Sequence, residues 1–321
     1  MTDTTRPKRY RMVSKYYKEH YGEKVYKLPV ALPLTCPNRD GSVGIGGCTF
    51  CGEIGAGYEN RPSWMTVAMQ LEENIAHIGP KSKAKKFITY YQNFSNTYLP
   101  PVDFKSYMEQ GCIESAVGIA IATRPDCIAD EYLHILQDIK ERFHKDIYIE
   151  LGLQTVNYHT LEKINRGHDL AQFIDAVLRI KRYGFNITTH MIVNLPWDTM
   201  GDTIEGAKIL SSLGVDQVKL HALYIVKNTL MAKWYEEGQF TLISAEEYAE
   251  RVVQFVRHLH PDIVLQRLVG RAPEDNTLFT NWSMGWWRVQ DLIDNKLDEL
   301  DAHQGDLCDY LNGKAVRRFI D

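Results

Sequence analysis

The chain has no run of about twenty apolar residues, the length a bilayer-spanning helix requires, so no transmembrane segment is expected. Its opening residues, Met1-Thr-Asp-Thr-Thr-Arg-Pro-Lys-Arg9, lack the apolar stretch of a signal peptide, and a cytoplasmic protein is expected. Neither a low-complexity tract nor an internal repeat is visible, which argues against a disordered or solenoid protein. An excess of basic charge is also missing. The net charge is −4, which excludes a surface that is basic all over, as in a nucleic-acid coat protein. Cysteine is sparse too, at six in 321 residues, and in a reducing compartment any that cluster read as metal or redox ligands rather than disulfides.

Three of the six do cluster. Cys36, Cys48 and Cys51 lie in one loop, Leu34-Thr-Cys-Pro-Asn-Arg-Asp-Gly-Ser-Val-Gly-Ile-Gly-Gly-Cys-Thr-Phe-Cys-Gly52, with eleven residues between the first two and two between the last pair. No fourth Cys or His stands nearby. Three thiolates suit a four-iron cluster held at three corners, leaving the fourth iron for a ligand that is not protein. A zinc site is the competing reading, but structural zinc normally closes four protein ligands. Cys112, Cys127 and Cys308 have no paired spacing and read as small buried hydrophobes rather than as ligands of a second cluster.

With 44% hydrophobic residues the chain can fill one large core. Short apolar runs rich in β-branched and aromatic residues recur at 25–34, 87–91, 116–122, 147–153, 186–194 and 216–223. Amphipathic stretches at 66–78, 131–143, 171–183 and 203–213 lie between them, the last two closing at Gly184 and Gly214. This alternation predicts βα units and a parallel sheet. The expected fold is α/β: a partial (β/α)6 TIM-type barrel with a short C-terminal α/β extension. After about Gln239 the pattern changes, with a capping box at Ser244-Ala-Glu-Glu247 opening a helix to about 258, one more strand over 263–269 and a late helix over 286–300. The expected division is a basic, Tyr-rich segment over 1–22, the barrel over 23–240 and a packed extension over 241–321.

From Arg6 to Lys27 there are eight Lys or Arg against two Glu, interleaved with Tyr10, Tyr16, Tyr17, Tyr21 and Tyr26. Such a mixture can follow an RNA backbone and stack bases, or it can form a solvated helix with a buried tyrosine stripe. The strand ends are polar throughout: Gln92-Asn-Phe-Ser-Asn-Thr97, Thr123-Arg-Pro-Asp126, Gln154-Thr-Val-Asn157, His190 to Pro196, and Lys219 with His221. In parallel βα architectures those ends converge on the active site.

The cysteine loop, Glu150-Leu-Gly-Leu-Gln-Thr155, Asn165-Arg-Gly-His168 and His190-Met-Ile-Val-Asn-Leu-Pro196 together resemble the radical S-adenosylmethionine (radical SAM) superfamily. More narrowly, the chain resembles the bacterial YhcC/YtqA-like family, related to the radical domain of the Elongator catalytic subunit. The resemblance runs from about Gly22 into Arg267-Leu-Val-Gly-Arg-Ala-Pro273 and Trp282. It implies a [4Fe-4S] cluster on Cys36, Cys48 and Cys51 whose open iron is chelated by S-adenosylmethionine. Reductive cleavage would then give a 5′-deoxyadenosyl radical that abstracts hydrogen from the substrate.

Matched position by position, the resemblance puts Phe50 near the adenine and Gln92 at a turn that receives the methionine amino group. Gln154 and Arg166 are implied at the ribose and the methionyl carboxylate, His190 and Asn194 on the adenine side. Lys219, His221 and Tyr224 are the candidates that face substrate. The chain departs from many relatives at the third strand end, where Ala122 precedes Thr123-Arg124 instead of an acidic ribose ligand. Each position also has a plainer reading. Gln154 and Arg166 would then be a buried polar pair, His190 and His221 core histidines, and Trp282, Trp286 and Trp287 packing anchors rather than a base-stacking platform.

The implied partners are tRNA and an electron donor such as flavodoxin or ferredoxin. No membrane partner is expected. Acetyl-CoA is not expected either, because the tail is too short for the acetyltransferase domain of the Elongator subunit. The leading expectation for activity is modification of the wobble-uridine side chain, for example carboxymethylaminomethyluridine to aminomethyluridine. A radical enzyme acting on a small metabolite or a protein side chain, and a non-catalytic iron–sulfur RNA-binding or redox-sensing protein, stand as alternatives.

Overall fold

In each βα unit a strand with an apolar outer face is followed by a helix whose apolar stripe covers it. The computed structural model describes residues 8–53, 55, 59–271 and 275–320; Arg6 of the basic segment and Ala272 and Pro273 of the tail motif lie outside the described residues. The elements run α1 (Val13–Tyr21), β1 (Val25–Val30), α2 (Val67–Ser82), β2 (Lys86–Tyr91), α3 (Pro101–Gln110), β3 (Ala116–Thr123), α4 (Asp130–Phe143), β4 (Asp146–Gln154), α5 (Tyr158–Lys163), α6 (Leu170–Lys181), β5 (Asn186–Ile192), α7 (Met200–Leu213), β6 (Gln217–His221), β7 (Ile225–Val226), α8 (Leu230–Glu236), α9 (Ala245–His258), β8 (Val264–Arg267), β9 (Thr277–Phe279) and α10 (Trp286–Glu299). Seven strands form one parallel sheet in the order β1-β2-β3-β4-β5-β6-β8, curled into a partial barrel, while β7 and β9 make a small antiparallel pair. No helix among the described residues is long and apolar enough to cross a membrane.

The sequence punctuation operates as read. Gly214 ends α7 at φ +61° and Ser244 accepts from the Glu247 amide at the start of α9, whereas α7 opens upstream of the expected 203, at a reciprocal capping box of Thr199 and Asp202. The six expected strands are all present. The seventh, read at 263–269, is β8 and pairs with β6 from Gln217↔Val264 onward, so the tail adds a strand to the same sheet. Helices α3, α5 and α8 were not anticipated. For α3 the signal was Pro101 at its first turn, where a missing N–H costs nothing.

Alternation on β4 explains the two faces of the sheet. Ile147, Ile149 and Leu151 point outward to the helices, where α6 contributes Phe173, Ala176, Val177 and Ile180 at helical spacing. Tyr148, Glu150 and Gly152 occupy the alternate positions facing the barrel interior. The lower interior is aromatic: Tyr17, Tyr90 and Tyr148 pack with Val25, Ile88 and Ala120.

The basic N-terminal stretch is a packing element. Lys8 pairs with Asp294, Arg9 with Asp298 and Asp301, and the Arg11 guanidinium donates to the Asp262 carbonyl, fastening the start of the chain to α10 and the β8 approach. Tyr17 is buried, and the Tyr21 hydroxyl donates to Asp146 at 2.6 Å. Tyr17 and Tyr21 follow the tyrosine-stripe reading of this segment, while Lys15, Lys18, Lys24 and Tyr26 are exposed.

The inward stripe of α6 carries a direct test. Phe173→Ala should lower stability by about 3–5 kcal/mol in chemical denaturation. Leu178→Ala, on the exposed side of the same helix, should change it by about 0.5 kcal/mol or less. Equal losses would contradict the orientation of the helix.

Candidate active site

The cysteine loop follows β1 and folds back over the strand ends. Asn38, fully buried in that loop, donates to the Asn165 carbonyl at 2.6 Å, while the Asn165 amide donates to the Gly47 carbonyl at 2.8 Å. These bonds lock the loop to the Asn165-Arg-Gly167 turn after α5. Gly167 is required there. Its φ is +71°, and a Cβ would stand 2.6 Å from Asn38 Oδ1.

Each of the three sulfurs has a donor beside it. Arg166 Nη1 lies 3.4 Å and Asn38 Nδ2 3.7 Å from Cys48 Sγ, Arg39 Nη2 lies 3.3 Å from Cys51 Sγ, and Ser95 Oγ lies 3.9 Å from Cys36 Sγ. Arg39 also caps the Cys51, Gly52 and Glu53 carbonyls and stacks on Phe94 at 5.1 Å. Burial pushes the Cys51 thiol up, Cys48 adds to that shift, and Arg39 opposes it. On the outer side of the loop, a cavity of about 570 Å³ opens between Arg39, Cys48, Cys51, Lys163, Lys227 and Trp234.

Arg166 joins this loop to the sheet. Its Nη2 donates to the Gly152 carbonyl at 2.6 Å, and a side chain at residue 152 would put a Cβ 2.7 Å from that nitrogen and 2.8 Å from Gln154 Nε2. The absent side chain is what lets Arg166 and Gln154 meet over β4. Gln154 sits at φ +80°, beside an irregularity in the β4–β5 pairing. Arg124, fully buried and paired with Asp126 at 2.8 Å, holds the Arg166 carbonyl from below at 2.8 Å. Burial beside Arg166 and Arg124 drives His168 down to about 2, so it is neutral where its ring meets the Gly152 carbonyl at 3.1 Å. Around this pair, Arg166 Nε, Asn38 Oδ1 and Asn93 Oδ1 are buried without a partner.

One layer deeper lies a charged group. The Glu150 carboxylate, fully buried, receives Lys27, the His190 ring at 2.7 Å and the Lys219 ammonium at 3.3 Å. Burial alone would raise Glu150, but Lys219, Lys27 and the His190 bond prevail and hold it well below the ordinary carboxylate range. Burial lowers His190 to about 4 and Lys219 to about 7. His190 is therefore neutral and donates through Nε2. His221, also neutral and held well below the ordinary imidazole range by burial and by Arg267, stacks on His190 at 5.3 Å and accepts from Arg267 Nη2 at 2.8 Å.

The sequence candidates thus fall into two sets. Cys48, Gln154 and Arg166 come together, with Cys36 and Cys51 in the same loop. Lys219, His221 and His190 form the second set around Glu150, so His190 stands apart from Asn194. Asn194 Oδ1 accepts from the Leu223 amide at 2.6 Å and its Nδ2 is buried without a partner. Phe50 packs on an apolar group that includes Leu161, Ile164 and Leu195. Gln92 and Tyr224 are half-buried at the ends of β2 and β6. Trp282 is an anchor: its Nε1 donates to the Ile243 carbonyl at 2.7 Å and its ring packs on Tyr248 and Phe279. Glu150, Arg267, Arg124 and Asn38 stand inside the quoted motifs, but none of them was assigned a role from sequence. Glu150 was detectable as a lone carboxylate in the middle of an apolar strand.

Comparison with known proteins fits this arrangement. The radical SAM superfamily profile matches residues 36–210, and the Radical SAM C-terminal domain profile matches residues 215–299. The chain is 34% identical over 301 residues to the YtqA protein of Bacillus subtilis, spanning 93% of this chain and 92% of that protein. It is 26% identical over 132 residues to a tRNA uridine(34) acetyltransferase of Dehalococcoides mccartyi, covering 39% of this chain and 27% of that protein. Among solved structures, Methanocaldococcus infernus Elp3 lacking its N terminus superposes with a TM-score of 0.67 at 14% identity, over 87% of this chain and 64% of that one, a likeness of fold. With its cysteine loop inside the matched region and nearly its full length shared with YtqA, the chain belongs to the radical SAM superfamily.

Proposed function

We propose that this radical SAM enzyme acts on the wobble-uridine side chain of tRNA, removing the carboxymethyl arm of 5-carboxymethylaminomethyluridine to leave the aminomethyl form. The observation that carries this reading is the sequence similarity to tRNA uridine(34) acetyltransferases, since it selects that nucleoside among the many substrates one fold can serve. Hydrogen abstraction from the arm's methylene next to nitrogen, then loss of one electron back to the cluster, would leave an imine whose hydrolysis releases the arm as glyoxylate and keeps the aminomethyl nitrogen on the base. A free small-molecule substrate is the second reading. It is favoured by the commitment of Lys8 and Arg9 to internal ion pairs.

Radical SAM enzymes use a [4Fe-4S] cluster and S-adenosylmethionine, and the residues present fit both. Three thiols with cationic or amide donors on two of their sulfurs suit an anionic cluster, whose reduction potential such donors raise. When bound, the cluster and S-adenosylmethionine supply reductive cleavage of a sulfonium bond and hydrogen abstraction from carbon. The protein's part is binding and exclusion. Cys36, Cys48 and Cys51 hold the cluster. Arg166, with one guanidinium nitrogen unpartnered, receives the methionyl carboxylate, and Gln154 beside it meets the ribose. Phe50 and Asn194 serve the adenine. Lys219, His221 and Tyr224 stand toward substrate, and the aromatic floor of Tyr17, Tyr90 and Tyr148 keeps water from entering below.

Three outcomes follow. Cys48→Ala should abolish both the iron–sulfur absorbance and S-adenosylmethionine cleavage, whereas Cys112→Ala, just past the C-terminal end of α3, should retain both; equal loss would overturn the ligand assignment. Arg166→Ala should weaken S-adenosylmethionine binding by about 1.5–3 kcal/mol in anaerobic equilibrium dialysis, and unchanged binding would leave Arg166 a purely structural group. Mass spectrometry of digested tRNA from cells lacking the gene should show carboxymethylaminomethyluridine accumulating at the expense of aminomethyl forms. An unaltered profile in a host that makes the modification would remove the tRNA reading.

A further inference from the structure

The charged layer inside the barrel does not balance. Lys27 on β1, Lys219 on β6 and Arg267 on β8 face one buried carboxylate, Glu150 on β4. His190 and His221 are neutral, β2 contributes the Tyr90 hydroxyl, α1 contributes Tyr17, and β3 contributes only Ala120 and Ala122. The other carboxylate felt by Arg267 is Glu59, which is exposed on the loop after the cysteines. Both oxygens of Glu150 are already taken by Lys27, Lys219 and His190.

Arg267 is the group left over. Among the described residues it has no carboxylate within ion-pairing distance; its Nη2 donates to a neutral ring, and its Nε is buried with no partner at all. Arg267 is half-buried, and leaving its buried Nε without an acceptor is costly unless an anion joins it. Lys219 is its registered neighbour on the adjacent strand; burial lowers it to about 7, its Nζ gives N–H bonds to Tyr90 and Glu150, and an added anion would help to keep its proton in place. Gly270 stands beside them, where even a Cβ would lie 3.4 Å from His221 Nδ1.

We propose that Arg267 and Lys219 form a binding site for a carboxylate of the substrate, inside the barrel and one layer below the cysteine loop. A carboxylate fits the donor set because it is planar, carries one charge and offers one oxygen to a guanidinium edge and one to an ammonium. A phosphate dianion would add repulsion against Glu150. The site explains why the barrel carries cations it does not pair: the missing anion arrives with the substrate. In the tRNA reading, on which the identity of the substrate rests, this carboxylate ends the carboxymethyl arm. Binding it here would direct the neighbouring carbon–nitrogen bond toward the cofactor layer around Arg166. The other carboxylate source is S-adenosylmethionine itself, and the test separates the two.

The reconstituted enzyme would be given an anticodon stem–loop bearing the carboxymethylaminomethyl group, or the same RNA with that carboxylate converted to its amide. In parallel it would be given N-acetylglycine or N-acetylglycinamide, read by thermal shift. The wild-type protein should bind the acid RNA at least tenfold tighter than the amide RNA and should be stabilised by N-acetylglycine alone. Arg267→Gln should erase both differences while leaving S-adenosylmethionine affinity within about twofold of wild type. Arg267→Lys should keep a reduced preference if the charge is what counts. Equal binding of acid and amide RNA, with no response to N-acetylglycine, overturns the carboxylate site and leaves the tRNA reading standing. Stabilisation by N-acetylglycine with neither RNA bound supports the site and overturns the tRNA reading. If Arg267→Gln weakens S-adenosylmethionine as strongly as Arg166→Ala, the anion held there is the cofactor's and the proposal fails. The wild-type acid-against-amide comparison decides the matter even if the variants do not fold.

Discussion

Arg166 is the single contact on which the rest of the site depends. One end of its guanidinium reaches the Cys48 sulfur and the other reaches the Gly152 carbonyl on β4. The geometry exists because residue 152 has no side chain and because Arg124 supports the Arg166 backbone from beneath. A loop rich in glycine would otherwise be free to move relative to the barrel. Anchored this way, the three thiols are held over the strand ends, and any ligand bridging the loop and the sheet must lie beside a cationic fork.

Below that anchor the barrel interior is layered by the two-residue period of its strands. On β4 the inward positions read Tyr148, Glu150, Gly152 and then Gln154, which gives an aromatic floor, a charged middle and an open upper level. The neighbouring strands follow the same order through Tyr90, His190 and Lys219. Each layer serves a different purpose. The floor seals, the middle concentrates positive charge, and the top brings arginine and glutamine to the cysteine loop.

Much of this was legible in the sequence. Strand and helix positions followed from apolar periodicity and from caps such as Ser244 and Gly214, because those signals are local. The cysteine trio and the Asn165-Arg-Gly167 turn could be quoted as site motifs before any fold was known. What could not be read was pairing across the sheet. Nothing near Glu150 in sequence says that Lys27 and Lys219 will converge on it from strands 123 residues before and 69 residues after. The role of the N-terminal tyrosines was undecidable for the same reason, since Asp146, Asp294 and Asp298 supply their partners and those of the adjacent basic groups from far along the chain.

The central claim is that three protein thiols hold a four-iron cluster and leave one iron for S-adenosylmethionine. An anaerobic electron paramagnetic resonance spectrum of the reduced protein, recorded with and without S-adenosylmethionine, tests it most directly. The account predicts a signal from a reduced four-iron cluster whose g values move when the nucleotide is added. A spectrum unchanged by S-adenosylmethionine, or a protein isolated without oxygen that contains zinc in place of iron, would contradict it.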